Sequence, residues 1–352
     1  MAPSYLEGGA SGKPGALHPS EKGQPKWLTH SQMRCYQHNR FMRDLVREHL
    51  AKSEARTVRS PDCTEILNDI CLFAHFDGNH QVDPYVLFYL RALYDAGFST
   101  IFITPCAISA EDEERVRKFC CDVIRRTNSG LDFGSWSDAF QLYSGRFKGR
   151  LLLANDSVYG PMSDLKELLS RLTAEKADFY GLVECNKIAP HLQSWFLLFE
   201  PHVVTSSAFH EILNQDFGQM SKIDVVKNGE VGLTQKLNAV GFQYRALVAF
   251  PNEHPLGKIG FNPMHILWRE IMEYELLPFL KIEVLRDRVS ILQRNLGLQN
   301  ISKEWRDLIE QHLNCRFNKN KNNKSYLFSV LLYFYSRSII FIYNYYRDKI
   351  HR

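Results

Sequence analysis

The chain has 352 residues, enough for one large domain or two ordinary ones at about 150 residues each. Hydrophobic residues make up 45% and charged residues 23%, a globular composition that excludes a disordered or fibrous chain. With 43 basic against 39 acidic residues the net charge is +4, too even for a dedicated nucleic-acid binder, so no nucleic-acid partner is expected.

Residues 1–27 are rich in Gly, Pro, Ser and Lys and are expected to be disordered, because they bury too little apolar surface to offset ordering. Residues 28–65 read as a basic helix and linker. Met33, Tyr36, Leu45 and Val46 share one face, and Arg40, Arg43 and Arg47 share another. That basic stripe is either a solvated face or one that meets an acidic membrane surface. The start of the chain has no apolar run of the kind a secretory signal needs, so a cytoplasmic protein is expected. The eight cysteines (Cys35, Cys63, Cys71, Cys106, Cys120, Cys121, Cys185 and Cys315) form no Cys-x-x-Cys pair. Zinc-ribbon and thioredoxin-type sites lose their support, and scattered thiols fit a reducing compartment.

The main body spans 66–290. Ile70 to Phe76 is a buried strand that ends in the loop Asp77-Gly78-Asn79. Pro84 to Ala96 is a helix with Gly97 as its stop, and Ser99 to Thr104 is the next strand. Glu111 to Arg126 reads as a charged helix, Leu151 to Ala154 as a strand and Asp164 to Ala174 as a helix. Strands follow at Asp178–Val183 and Ser194–Phe199, then a helix at Glu230–Gly241 and a strand at Tyr244–Phe250. Alternating strands and helices predict an α/β fold with a mostly parallel sheet, whose ligands bind at the carboxyl ends of strands. Residues 291–318 are a helical extension, and 319–352 are a basic linker followed by an apolar, aromatic helix. Tyr326 to Tyr346 is long enough to span a bilayer, but a central Arg337 costs about 2.5–3.5 kcal/mol there. An interfacial membrane helix is expected, with a spanning helix or a packed one as alternatives.

Five stretches carry residues suited to chemistry. In Leu151 to Ser157 an apolar strand delivers Asp156, which either holds a divalent cation on a diphosphate or caps a turn. In Arg126 to Trp136, small residues admit a close ligand. Asn128 and Asp132 there suit a ribose or base and Arg126 a phosphate, unless the stretch is an ordinary glycine-rich loop. In Asn228 to Leu237, Glu230 opens a helix, either as a dipole-stabilised acid or as a general base for an acceptor hydroxyl. In Ala189 to Phe196, His191, Gln193 and Trp195 form either an acceptor-binding wall or part of the core. Finally, Lys281 and Arg286 are placed to reach a diphosphate or to lie on the surface.

Taken in order, these stretches resemble the rhamnan synthesis F family of bacterial polysaccharide glycosyltransferases. The resemblance rests on Arg126 to Trp136, Asn155 to Pro161, Pro190 to Ser194, Glu230 to Gln235, and Asn262-Pro263 with Pro278 to Lys281. It covers about residues 66–290. It implies a GT-A-like nucleotide-sugar-binding sheet flanked by helices, with added helical segments at both ends. It also implies an inverting hexosyltransferase with a nucleotide-diphosphate donor, dTDP-rhamnose by default, and an oligosaccharide or lipid-linked acceptor of O-antigen or cell-wall type. Loops 75–83 and 128–136 would then hold the donor, placing His75, Asp77, Asn128, Gly130, Asp132 and Asn155 beside it. The implied metal is Mg²⁺ or Mn²⁺ on Asp156, at the inner face of the cytoplasmic membrane. The usual Asp-x-Asp metal motif is not intact: Ala154-Asn155-Asp156 stands in its place, so either one carboxylate carries the ion or Lys281 and Arg286 neutralise the diphosphate.

Three rival classes compete with this reading. A sugar nucleotidyltransferase wants Lys or Arg in the loop after the first strand, and Asp77 to Gln81 has neither. A nicotinamide oxidoreductase wants Gly-x-Gly-x-x-Gly there, which is absent. A non-catalytic scaffold in a polysaccharide assembly complex draws its support from the degenerate metal motif.

Overall fold

A computed structural model of the chain describes residues 69–249, 260, 262–273, 276–288, 298–299 and 301–317. The expected disordered segment 1–27, the basic helix 28–65 and the aromatic tail 319–352 lie outside the described residues.

The first half alternates strand and helix: β1 (Ile70–Ala74), α1 (Pro84–Asp95), β2 (Ser99–Thr104), α2 (Ala110–Arg117), β3 (Cys120–Arg125), α3 (Leu131–Tyr143), β4 (Leu151–Asn155), β5 (Val158–Tyr159) and α4 (Leu165–Leu172). Then come β6 (Phe179–Cys185), β7 (His191–Leu192), β8 (Phe196–Phe199), α5 (Ser207–Leu213), α6 (Gly232–Ala239), β9 (Tyr244–Val248), α7 (Trp268–Glu273), β10 (Leu280–Lys281) and α8 (Lys303–Phe317). The sheet order is β3-β2-β1-β4-β8-β6, with β7 and β9 both pairing with β6. Strands β1 to β4 run parallel, β8 runs against its neighbours β4 and β6, and β9 is parallel to β6. The fold is thus the mixed α/β arrangement with a mostly parallel central sheet that the alternation predicts.

Both faces of the sheet are covered, which is why its strands read as unbroken apolar runs. Along β1, Cys71 and Phe73 pack on one side with α1, α4, α7 and α8. Ile70, Leu72 and Ala74 pack on the other side with α3, α5 and α6. Local signals set the helix starts. Pro84 opens α1, the Ser109 hydroxyl accepts from Asp112 N–H at 3.0 Å, and Asp164 accepts from Lys166 N–H at 2.7 Å. Gly97, at φ +93°, takes the left-handed turn that ends α1.

Three sequence expectations are corrected. The charged helix stops at Arg117 rather than Arg126, and Cys120–Arg125 is the edge strand β3. Its Val123 and Ile124 carry the β-branched signal that the preceding charges mask. The glycine-rich stretch 128–136 is not a loop: from Leu131 it is the first part of α3. Gly134 permits this, since a Cβ there would sit 2.4 Å from the Ser129 carbonyl oxygen. Glu230 does not open a helix. An α-turn at Lys222–Val225 runs into a π-helical stretch, Val226–Val231, and then into α6. Among the cysteines, Cys71, Cys106, Cys120 and Cys185 are free, but Cys121 and Cys315 are disulfide-bonded, which departs from a wholly reduced set.

Candidate active site

The sheet grows in one direction from β1 through β2 and β3, and in the other from β4 onward. In sheets that reverse in this way ligands bind beyond the carboxyl ends of the strands at the switch point, here those of β1 and β4. Register places Ala74 opposite Asn155, so the residues just past each strand meet there. Asp156 N–H donates to the Ala74 carbonyl at 3.3 Å, and Phe76 N–H donates to Asp156 Oδ2 at 3.0 Å. The Tyr85 hydroxyl donates to the Asp156 carbonyl at 3.1 Å. His75 Nε2 stands 3.7 Å from the same Oδ2, and its Nδ1 lies 3.0 Å from Thr104 Oγ1. Only 12% of the Asp156 side chain is exposed. Burial pushes its carboxyl well above the usual range. The Phe76 N–H opposes this shift, and the charges of Asp132 and Asp77 add to it.

Asp132 comes from the first turn of α3. Asn155 Nδ2 donates to its Oδ2 at 2.8 Å, while Asn155 Oδ1 accepts from the Ser157 hydroxyl at 2.6 Å and its N–H at 3.1 Å. Asn155 thus fixes one acid and braces the loop that carries the other. Burial pushes Asp132 up to about 6; the Asn155 hydrogen bond opposes it, Glu230 raises it further and Lys281 opposes it. The chain enters α3 through two left-handed residues, Gly130 (φ +70°) and Leu131 (φ +53°). A leucine there is a rare conformation, of the kind that clusters at functional sites.

Glu230 closes the other wall. Its Oε1 lies 3.3 Å from His191 Nε2, and its Oε2 accepts from the Ser194 hydroxyl at 2.8 Å. Burial alone would raise this acid. The His191 hydrogen bond, the Lys281 charge and the Ser194 hydroxyl outweigh burial and hold it below the ordinary value. The π-helical stretch sets its position, a form that recurs at functional sites. Gly229 lets that stretch lie against α3, since a Cβ there would meet the Phe133 ring at 2.7 Å. Lys281, on β10, acts on both Asp132 and Glu230, and among the described residues its ammonium makes no hydrogen bond or ion pair.

Asp156, Asp132, Asn155, Glu230, His191 and Lys281 are therefore linked through direct bonds and mutual electrostatics. Other expected residues are spent elsewhere. Arg126 is not at a phosphate: it binds Asp138 at 2.6 Å and the Ser129 carbonyl at 2.7 Å. A Cβ at Gly130 would meet the Phe217 backbone at 2.9 Å, so the close approach it permits on that side is to the protein itself. Asn128 is exposed at the start of that turn. The Asp77 carboxylate accepts from Asn79 and Gln81 N–H at 2.9 and 3.1 Å, and Arg316 of α8 lies 3.4 Å away. Buried His75 braces Asp156 rather than facing the crevice. Trp195 is corrected from an acceptor wall to the core: it is 2% exposed, packs on Phe279 at 5.6 Å and donates to Gln193 Oε1 at 3.0 Å. Gln193 is itself buried and donates to Asn262 Oδ1 at 2.6 Å. Arg286 lies over the Phe317 ring at 5.2 Å. Sequence reasoning assigned no role to Ser194 or Phe76. Phe76 is 54% exposed directly beside Asp156, and an aromatic just past an apolar strand was its available signal.

The rhamnan synthesis protein F family model matches residues 100–338, and the chain belongs to that family. Its curated relatives include the uncharacterized protein y4gN of Sinorhizobium fredii, 28% identical over 166 residues. That match takes in 46% of this chain, which spans 43% of y4gN. The virulence protein VirA of Vibrio anguillarum is 26% identical over 234 residues, covering 55% of this chain and 74% of VirA. Among solved structures, the glycosyltransferase GlyE of Streptococcus pneumoniae is 12% identical, with 72% of this chain and 66% of that one covered and a TM-score of 0.38. The mannosyltransferase PcManGT of Pyrobaculum calidifontis, solved with GDP-Man and Mn²⁺, is 11% identical over 82% and 81%, with a TM-score of 0.35. A cytidylyltransferase of Leptospira borgpetersenii is 13% identical over 73% and 100%, with a TM-score of 0.33.

Burial holds His75 down to about 4 against an ordinary 6.5, with the Asp77 and Asp83 charges opposing that fall. The unfolded chain therefore binds this proton first, and stability present above about pH 6.5 drains as pH falls towards 4. Urea unfolding of the wild type and His75→Asn at pH 7 and pH 4.5 measures it. The wild type is expected to lose about 2–3 kcal/mol more than the variant over that interval.

Proposed function

We propose that the protein is an inverting glycosyltransferase that moves a sugar from a nucleoside-diphosphate donor to a polysaccharide acceptor. Its family points to rhamnose, carried as dTDP-rhamnose, and to an acceptor of O-antigen or cell-wall type. The observation that carries this reading is electrostatic: Asp132 acts on Asp156 and is itself acted on by Glu230, so acids from the sheet edge and from the π-helical stretch belong to one cluster.

The donor end fits a divalent cation. Asp156 and Asp132 are both raised by burial and by neighbouring acids, so an added positive charge would stabilise both as anions. Among the described residues no group of three or more ligating side chains assembles, so diphosphate oxygens and water would complete the coordination around Asp156. Bound there, Mg²⁺ or Mn²⁺ supplies neutralisation of the departing diphosphate. Lys281 binds the same diphosphate with its unpaired ammonium. Asn155 keeps Asp132 and the Asp156 loop in register. Glu230, oriented by Ser194 and His191, accepts the proton of the acceptor hydroxyl. The hydroxyl oxygen then bonds to the anomeric carbon as the bond to diphosphate breaks. The aromatic stretch 326–346 holds the enzyme at the inner membrane surface, near a lipid-linked acceptor.

Glu230→Gln is expected to lower kcat for sugar transfer at least 100-fold while donor affinity changes less than about threefold. Full turnover by this variant removes Glu230 from the role. Asp156→Ala is expected to abolish the Mn²⁺-dependent part of dTDP-rhamnose binding in calorimetry. An unchanged metal response places the ion elsewhere.

A further inference from the structure

The base proposed above faces a histidine with only one nitrogen left to titrate. His191 Nδ1 lies 2.7 Å from the Ala189 carbonyl oxygen, and a carbonyl only accepts, so Nδ1 carries a proton and donates it. Any change of protonation then falls on Nε2, which stands 3.3 Å from Glu230 Oε1. The ring is buried on β7, whose backbone is pinned on two sides. His191 pairs with Cys185 of β6, and Leu192 N–H donates to Thr234 Oγ1 of α6 at 3.1 Å. The imidazole is buried, and its single open nitrogen faces the carboxylate.

We propose that His191 stores the proton that Glu230 takes from the acceptor hydroxyl. The inference rests on the reading of Glu230 as base and adds where the proton goes next. The His191 hydrogen bond to Glu230 exists only in the imidazolium form; in the reactive state Nε2 is bare and Glu230 is ionised, held by the Ser194 hydroxyl and the Lys281 charge. The acceptor O–H bond breaks as its oxygen bonds to the anomeric carbon, and the bond from that carbon to the diphosphate oxygen breaks, its electron pair leaving with the diphosphate. The proton passes to Glu230 and on from Oε1 to Nε2. The product state is then an imidazolium–carboxylate pair rather than a protonated acid, and it resets when the imidazolium releases its proton to solvent.

The charges around this pair come from several elements. Glu184 of β6 acts on His191 and is itself hydrogen-bonded by Tyr244 of β9. Lys281 of β10 and Asp132 of α3 act on Glu230, and the Cys185 thiol lies near both Glu230 and Lys281. The ionisation that results belongs to the His191–Glu230 pair rather than to either residue alone.

Histidine ¹⁵N NMR of the full chain, with His191→Gln used to assign the resonance, tests this without needing a substrate. The proposal expects the uncommon tautomer, protonated at Nδ1, at high pH, with only Nε2 titrating. In Glu230→Gln the His191 midpoint should fall by at least about one pH unit, because the carboxylate that stabilises the imidazolium is gone. An Nε2-protonated tautomer in the wild type overturns the proposal, as does an unmoved midpoint in the variant. The tautomer is read on the wild type, so a variant that fails to fold still leaves the proposal falsifiable. Kinetics then separate the two levels. The low-pH limb of kcat for dTDP-rhamnose turnover should move to lower pH in His191→Gln, with kcat reduced at least 10-fold. If Glu230→Gln stays active, the base reading fails. If Glu230→Gln is inactive while His191→Gln keeps kcat and the wild-type profile, only the proton-storage role fails.

Discussion

The site depends on one backbone junction, where β1 and β4 lie side by side in parallel and release their chains together. The Phe76 N–H that binds Asp156 Oδ2 and the Asp156 N–H that binds the Ala74 carbonyl are that junction. They hold a carboxylate at the rim of an apolar sheet, where burial makes its charge unfavourable. A second acid, Asp132, is brought within range by α3 and tied by Asn155. Burial and neighbouring acids raise both, Asp156 through Asp132 and Asp77 and Asp132 through Glu230, and on the proposed reading the pair receives positive charge.

The opposite wall is built differently. The Ser194 hydroxyl donates to one oxygen of Glu230, His191 Nε2 stands 3.3 Å from the other and the Lys281 charge acts nearby, so Glu230 stays ionised where the first two acids resist ionisation. One electrostatically linked cluster thus holds carboxyls of opposite tendency. On the proposed reading that separation assigns two roles: cation binding at the leaving group, and an ionised carboxylate free to take a proton at the acceptor. Gly229 lets the π-helical stretch lie close against Phe133 of α3, an approach that a Cβ at that position would block.

How much of this was legible in the sequence follows from the physics of each element. Ile70–Ala74 and Leu151–Asn155 were readable because strands buried on both faces are uniformly apolar, and the acid ending the second was conspicuous for that reason. The start of α3 was hidden because Gly134, Ser135 and Ser137 are small for close packing, which in sequence looks the same as a flexible loop. β3 was hidden behind the charges of α2. The π-helical stretch has no sequence signature, so the sequence reading singled out Glu230 for a helix start that does not exist. Trp195 and Arg126 show the limit of residue-type reasoning: each has chemistry suited to a sugar or a phosphate, and each is satisfied by the protein's own core or backbone.

The most direct test of a shared crevice is a crystal structure of the full chain with dTDP and Mn²⁺. The account predicts the diphosphate beyond the β1 and β4 ends, between Asp156 and Lys281, with its terminal phosphate directed at Glu230. A nucleotide bound away from Asp156, or one whose terminal phosphate points away from Glu230, would contradict it.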